Sequence, residues 1–173
     1  MSANSARQVI FDKRSDYRPD ELTGFALTLD GGNIFLTLAD SAGLRRGGAG
    51  YSRYQAPAPV TDGRGHHVVV TVSRSNPAGS RFYINGELAG SFDATDRRGS
   101  LSNQVPLRIG MMTEPNLARR TDRFQGALDD LMLFKRTLDP GEVAQLFYRS
   151  TTKRCRELRE ADKGRREKPE PSS

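Results

Sequence analysis

The chain has 173 residues, a formal net charge of +6 at pH 7, one cysteine and no tryptophan. A single cysteine excludes a disulfide within the chain, and no apolar run approaches the ~20 residues that a membrane-spanning helix needs. Residues 151–173 hold eight Lys and Arg against five Asp and Glu, a net +3, and the rest of the chain holds the other +3. This even spread favours a solvated basic surface over a nucleic-acid site.

The first third of the chain has the alternating apolar pattern of antiparallel strands. A strand is predicted at 7–13, "RQVIFDK". In 23–40, apolar residues alternate on both sides of "DGG", which predicts a hairpin because glycines permit the positive φ angles of a tight reversal. Residues 40–65 are rich in Gly, Pro and Arg. They predict a long loop that contains one short strand at 51–55.

The next third predicts more strands. Residues 66–74, "HHVVVTVSR", are β-branched and alternating, and "RFYINGELAGSFD" places two strands around Asn85-Gly86, the strongest short hairpin signal. "PLRIG" predicts a further short strand, and "GALDDLMLF" at 126–134 predicts the last one.

Only after this last segment does the hydrophobic period change from two to that of a helix. Asp139 suits an N-cap, Pro140 the first helical position, and Glu142 completes a capping box. The following residues present one apolar face to the rest of the fold, formed by Val143, Leu146 and Phe147. The pattern predicts an all-β fold, an antiparallel β-sandwich of the jelly-roll type with one short C-terminal helix. The expected boundaries are a disordered N-terminus at 1–7, a domain at 8–150 and a charged, mostly disordered tail at 151–173.

Four consecutive blocks carry a family resemblance: "VTDGRGHHVVVTVSR", "RFYINGELAGSF", "SLSNQVPLRIG" and "FQGALDDLMLFKRTLDPGEVAQLF". Their order and spacing resemble the laminin-G-like jelly-roll domains of the concanavalin A-like lectin/glucanase superfamily over roughly residues 8–150. "KRCR" after the helix resembles the Gly-Lys-Cys end of bacterial members. The resemblance implies a non-catalytic, lectin-like binding module of a secreted or cell-surface protein. Its implied partners are a carbohydrate, a glycosylated ligand, or a cell-surface or matrix protein.

Two departures from the family pattern follow. Gly65 stands where the family has Trp before its His pair. Family domains also begin with earlier strands, so the resemblance implies that the chain is truncated at its N-terminus. The first fifteen residues lack the apolar segment of a signal peptide, so an extracellular location is expected from the family alone.

The adjacent aspartates of the last predicted strand need an explanation, because neighbouring side chains of a strand point to opposite faces. In the superfamily an Asp of the last strand often helps to hold a structural calcium ion, and Asp129 matches that position. The resemblance therefore implies calcium as the one possible cofactor. The alternative is a structural hydrogen bond from Asp129 to turn amides or to Arg136.

Tyr51, Arg53 and Tyr54 are the candidate ligand-binding residues. They fall in the 40–60 segment, and binding residues concentrate in loops on rigid sandwiches. No Glu-x-Asp-x-x-Glu strand, nucleophile elbow or phosphate loop occurs in the sequence, so the chain is not expected to be an enzyme. Two alternatives remain open. The first is a structural or adhesive protein-interaction module without a sugar site, and the second is an incomplete fragment of a longer laminin-G-like domain.

Overall fold

The computed structural model of the protein describes residues 7–15, 22–40, 50–112 and 122–152. Three predictions lie partly or largely outside these residues: the disordered N-terminus at 1–7, the first part of the loop at 40–65, and the charged tail at 151–173, which includes Cys155. The domain boundaries therefore stay predictions.

The described residues form eight strands and one helix, α1, at residues 140–152. The strands are β1 (Gln8–Arg14), β2 (Thr23–Asp30), β3 (Asn33–Asp40), β4 (Tyr51–Pro59), β5 (Val68–Thr71), β6 (Ser80–Ile84), β7 (Glu87–Phe92) and β8 (Arg108–Ile109). They build a five-stranded sheet in the order β4-β3-β2-β1-β8 and a three-stranded sheet in the order β5-β6-β7. Every pairing of these strands is antiparallel, which confirms the predicted sandwich with one short helix.

Both predicted hairpins are confirmed. Between β2 and β3 the turn residues Gly31 and Gly32 have φ angles of 55° and 88°. Between β6 and β7, Asn85 and Gly86 have φ angles of 54° and 85°. Positive φ at both central residues gives the turn a twist that matches the right-handed twist of the paired strands.

The main core lies between the two sheets. One row of side chains crosses four strands of the larger sheet, because Phe11 pairs with Leu27, Leu27 with Leu36, and Leu36 with Tyr54. From the smaller sheet the buried Phe82 packs against the same cluster. Full burial of a side chain of this size is worth about 1.5–3 kcal/mol relative to exposure.

A second core lies on the other face of the smaller sheet, where α1 docks. Tyr83 of β6 packs with Leu138 and Val143, and Val143 is fully buried. The predicted capping box is confirmed: the Asp139 Oδ1 accepts the Glu142 N–H at 2.9 Å, and the Glu142 Oε2 accepts the Asp139 N–H at 3.0 Å. These bonds satisfy two backbone donors at the helix start and fix its direction.

Strand β4 is longer than the prediction of a short strand at 51–55, since it runs to Pro59. The prediction treated the prolines of 56–59 as loop residues. In the sheet order β4 is an edge strand. Pro57 and Pro59 are tolerated there because an edge strand does not need every N–H for a ladder. Prolines also discourage further strands from adding to this edge.

The predicted last strand at 126–134 is wrong for the structure described here, which assigns no strand to these residues. Asp130 has a φ angle of 49°, and its N–H is bound by the Asp129 Oδ1 at 2.8 Å. This left-handed conformation, which Asp tolerates better than most residues, interrupts the extended backbone. The apolar side chains of the segment are consequently exposed: Leu128, Leu131, Met132, Leu133 and Phe134.

Candidate functional site

Three alternate residues of edge strand β4 point their side chains outward from the sandwich. Tyr51, Arg53 and Gln55 are exposed while Ser52 and Tyr54 between them are partly buried. Because side chains alternate along a strand, the three lie on one face at intervals of about 7 Å. We call Tyr51, Arg53 and Gln55 the β4 strip. The structure therefore brings Tyr51 and Arg53 together.

The guanidinium of the β4 strip is held in place by neighbouring strands. Arg53 donates to Asp30 Oδ2 at 3.1 Å and lies 4.1 Å from the centroid of the Phe35 ring. Its side chain stays about a third exposed, at 31%. The ion pair and the cation–π contact restrict its rotamers, and a guanidinium has further N–H donors for a ligand.

Tyr54 points to the opposite face of β4, toward the main core. Its ring stacks on Phe92 at a centroid distance of 4.6 Å, and its hydroxyl donates to Asp96. Burial, and then the hydrogen bond to Asp96, raise the pKa of Tyr54. The structure therefore does not bring Tyr54 together with Tyr51 and Arg53, and the described contacts of Tyr54 are structural.

Asp96 and Arg97, which the sequence did not single out, connect β4 to the loop after β7. Asp96 accepts hydrogen bonds from Ser52 and Tyr54, while Arg97 Nε donates to Ser52 Oγ at 2.8 Å. Arg97 also donates to Asp40 at 3.2 Å, at the end of β3. These contacts span 42 to 57 residues of sequence, so no local pattern could have indicated them.

Asp129 lies in the exposed segment after β8, where its Oδ1 accepts the Asp130 N–H. Arg136, one of its two predicted alternative partners, instead forms a bidentate pair with Glu142 at 2.7 Å for both bonds. Among the described residues no three His, Cys, Asp or Glu side chains are placed to share a metal ion. Calcium also accepts backbone carbonyl oxygens. Calcium at Asp129 stays a prediction.

A protein-family comparison agrees with this fold. Residues 1–144 match a laminin-G family model described as "Concanavalin A-like lectin/glucanases superfamily". Among solved structures, the chain is similar to residues 221–444 of an S-layer domain-containing protein from Clostridium thermocellum, with 22% identity and a TM-score of 0.37. The alignment covers 85% of this chain and 65% of that one. No curated protein matches the sequence significantly.

Proposed function

The chain belongs to the concanavalin A-like lectin/glucanases superfamily, with a laminin-G-like fold, and from that premise we propose that it is a non-catalytic, lectin-like module whose β4 strip binds carbohydrate. One observation carries the proposal. One exposed face of a single strand carries, one after another, an aromatic ring, a restrained guanidinium and a carboxamide.

These three groups match the chemistry of a sugar ring. The Tyr51 ring, 44% exposed, offers a flat apolar surface to the C–H groups of a pyranose. Arg53 donates to hydroxyl or ring oxygens, and the Gln55 carboxamide both donates and accepts. The strand fixes the backbone of all three, so little backbone entropy is lost when a ligand binds.

The contacts of the strip support binding rather than hydrolysis. Glycoside hydrolysis generally uses a pair of carboxyl groups on either side of the scissile bond. Asp30, the carboxylate that contacts the strip, is engaged by Arg53 at 3.1 Å and lies 3.9 Å from the Arg7 guanidinium. Its role in the proposed site is to orient Arg53.

We place this module in a secreted or cell-surface protein, where it would meet carbohydrates or glycosylated partners. The family membership supports this location. Among the described helical residues there is no segment long and apolar enough to cross a membrane.

A glycan array followed by calorimetry tests the proposal. Tyr51→Ala removes the aromatic platform, and we expect about tenfold weaker binding of any glycan that the wild type retains, which corresponds to ~1.4 kcal/mol. Tyr148→Ala is the matched control, because Tyr148 is 68% exposed on α1, which packs on the smaller sheet rather than on the sheet of β4. Equal affinity of the wild type and Tyr51→Ala would refute a role for the strip.

A protein-interaction module is the second candidate, and the exposed apolar segment at 128–134 favours it. Four consecutive side chains there, Leu131 to Phe134, are 42% to 58% exposed. Contiguous apolar surface of this kind often marks a protein contact. A silent glycan array together with a purified cell-surface protein whose binding is lost in Leu133→Glu would favour this candidate.

A structural calcium ion bound by Asp129 is a separate proposal. If Asp129 binds it, the melting temperature rises in calcium relative to EDTA, because a ligand that binds only the folded state stabilises it. Asp129→Asn should remove the rise. Equal melting temperatures in calcium and EDTA would remove the metal from the proposal.

A further inference from the structure

A polar cleft of about 390 Å³ lies between the smaller sheet and the start of α1. Thr71, Ser73, Asn76 and Arg81 line one side, and Arg136 and Glu142 line the other. Thr71 and Arg81 are directly paired across β5 and β6. They point to the same face of the sheet as Val69 and Tyr83, the face that carries α1. The cleft is therefore on the opposite side of the sandwich from the β4 strip.

Arg81 differs from every other sheltered cation in the described part of the chain. The other four Lys and Arg side chains that are at least partly buried there each donate a hydrogen bond. Lys13 donates to the Val105 carbonyl, Arg14 to Asp12, Arg74 to the Arg97 carbonyl, and Arg97 to Asp40. Within those same residues the Arg81 side chain has no hydrogen bond and no ion pair, although Arg81 is partly buried. The five N–H donors of this guanidinium are therefore available to a ligand.

The acidic groups of the cleft are already engaged. Glu142 holds Arg136 in a bidentate pair at 2.7 Å, and this contact, followed by the bond to the Asp139 N–H, lowers the pKa of Glu142 to about 2. Asp139 accepts the Glu142 N–H as the helix cap. Of the two arginines that line the cleft, Arg136 has an ion pair and Arg81 has none in the described structure.

Uncharged polar side chains line the same cleft as Arg81. Asn76 Oδ1 accepts the Ala78 N–H at 3.0 Å, which orients the carboxamide and leaves its NH₂ group available to donate. Thr71 and Ser73 contribute hydroxyls to the lining. The volume lies within the range of roughly 300–1,000 Å³ that small-molecule sites occupy.

We propose that this cleft is a second binding site, which takes an oxyanion carried on a small hydroxyl-bearing molecule. The anion pairs with the Arg81 guanidinium, whose fork geometry suits carboxylate and sulfate groups. The hydroxyls of the ligand meet Thr71, Ser73 and Asn76. The site is independent of the β4 strip, since it lies on the other sheet and needs no aromatic platform.

Thermal melts at constant ionic strength test the site with three probes: sodium glucuronate, sodium sulfate and neutral glucose. Sulfate also stabilises proteins non-specifically, so the measured quantity is the shift in the wild type minus the shift in Arg81→Gln. Arg108→Gln, an exposed arginine of β8, is the matched control. We expect a saturable rise with glucuronate in the wild type and the control, and about tenfold weaker apparent affinity in Arg81→Gln.

The sulfate and glucose arms identify the ligand chemistry. A sulfate response that depends on Arg81 supports the anion site, and a stronger response to glucuronate supports the added role of the hydroxyls. A glucose response equal to that of glucuronate overturns the anion assignment. Equal shifts in the wild type and Arg81→Gln, or no shift with glucuronate and sulfate, overturn the site itself.

A titration of the wild-type protein gives a readout that does not depend on how a variant folds. Glucuronate is added while backbone amide resonances are followed by NMR. The expected perturbations are confined to residues 71–81 and 136–142. Perturbations that centre elsewhere, or none at saturating glucuronate, refute the proposal even if Arg81→Gln does not fold.

Discussion

The hydroxyl of Thr28 shows how single residues set local stability in this sandwich. Thr28 lies in β2 at 3% exposure, and its Oγ1 is buried without a hydrogen-bond partner. An unpaired buried hydroxyl costs about 1–3 kcal/mol, whereas a methyl group in its place costs nothing in hydrogen bonds. Thr23, in the same strand, has its Oγ1 within 2.9 Å of the Ser15 Oγ.

We therefore expect Thr28→Val to stabilise the protein by about 1 kcal/mol, since valine also suits a strand. Thr23→Val is the matched control and should destabilise, because it breaks the contact with Ser15. Chemical denaturation measures both free energies of unfolding. A destabilised Thr28→Val would mean that its hydroxyl has a role that the structure does not show.

At the scale of elements, the start of α1 depends on a charged cap. Glu142 accepts two bonds from Arg136 and one from the Asp139 N–H, and they lower its pKa from 4.5 to about 2. Because the folded-state pKa is the lower one, the carboxylate stabilises the fold above pH 4.5. That contribution is lost as the pH falls from 4.5 to about 2.

Glu142→Gln should accordingly destabilise the protein at neutral pH, and the difference from the wild type should shrink as the pH falls through this window. Thermal melts followed by circular dichroism measure it. Glu87→Gln, which replaces an exposed glutamate of β7, is the control for the loss of one surface charge. A difference that stays constant down to pH 2 would contradict the assignment to the ionised carboxylate.

The β6–β7 turn is the second element that a substitution can test. Gly86 has a φ angle of 85°, and a Cβ built on it would lie 3.0 Å from the Phe147 Cδ1 of α1. Gly63 has a similar φ angle of 80° but has no atom within 4 Å of such a Cβ. An alanine at either position strains the backbone, but only an alanine at position 86 also presses on α1. Comparing the two substitutions therefore separates backbone strain from helix packing.

Gly63→Ala should cost about 1 kcal/mol, the ordinary penalty for a left-handed alanine. Gly86→Ala should cost more, because Phe147 and the helix that carries it must shift. The denaturant midpoints give both changes in the free energy of unfolding, provided that the dependence of this free energy on denaturant concentration is unchanged. Equal costs would show that the turn and α1 are not packed as described.

At the scale of the whole molecule, a polar network ties the parts of the sandwich together. Arg97 is 7% exposed and bonds Asp40 at the end of β3 and Ser52 of β4. Its backbone carbonyl accepts a bond from Arg74, which follows β5, at 2.7 Å. Both sheets therefore meet at this residue. Removing one partner of a buried ion pair is costly because the other charge stays buried.

Arg97→Met should lower the free energy of unfolding by about 3 kcal/mol, the low end for a broken buried pair. Arg98→Met, a substitution of the exposed neighbour that contacts the Thr95 carbonyl, should stay within about 0.5 kcal/mol of the wild type. Chemical denaturation again gives both values. A tolerated Arg97→Met would show that the network does not hold the sheets together.

The sequence by itself determined the features whose causes lie within a few residues. Positive φ angles in "DGG" and "NG" come from the turn residues, and the capping box joins residues only three apart, so the hairpins and the start of α1 could be predicted locally. Alternation of apolar residues likewise indicated an antiparallel sandwich. Tyr51 and Arg53 could be named as candidates for the same reason, since residues two apart share a face of a strand.

Only the tertiary structure decided what depends on distant partners. That β4 is an edge strand, where Pro57 and Pro59 are tolerated, follows from the sheet order. That Tyr54 faces Phe92 and Asp96 follows from packing across the sandwich. Residues 126–134 have a strand-like sequence, but a strand also needs a ladder partner and a backbone free of the turn at Asp130. Pairing and burial are properties of two segments at once, and no single segment of sequence contains them.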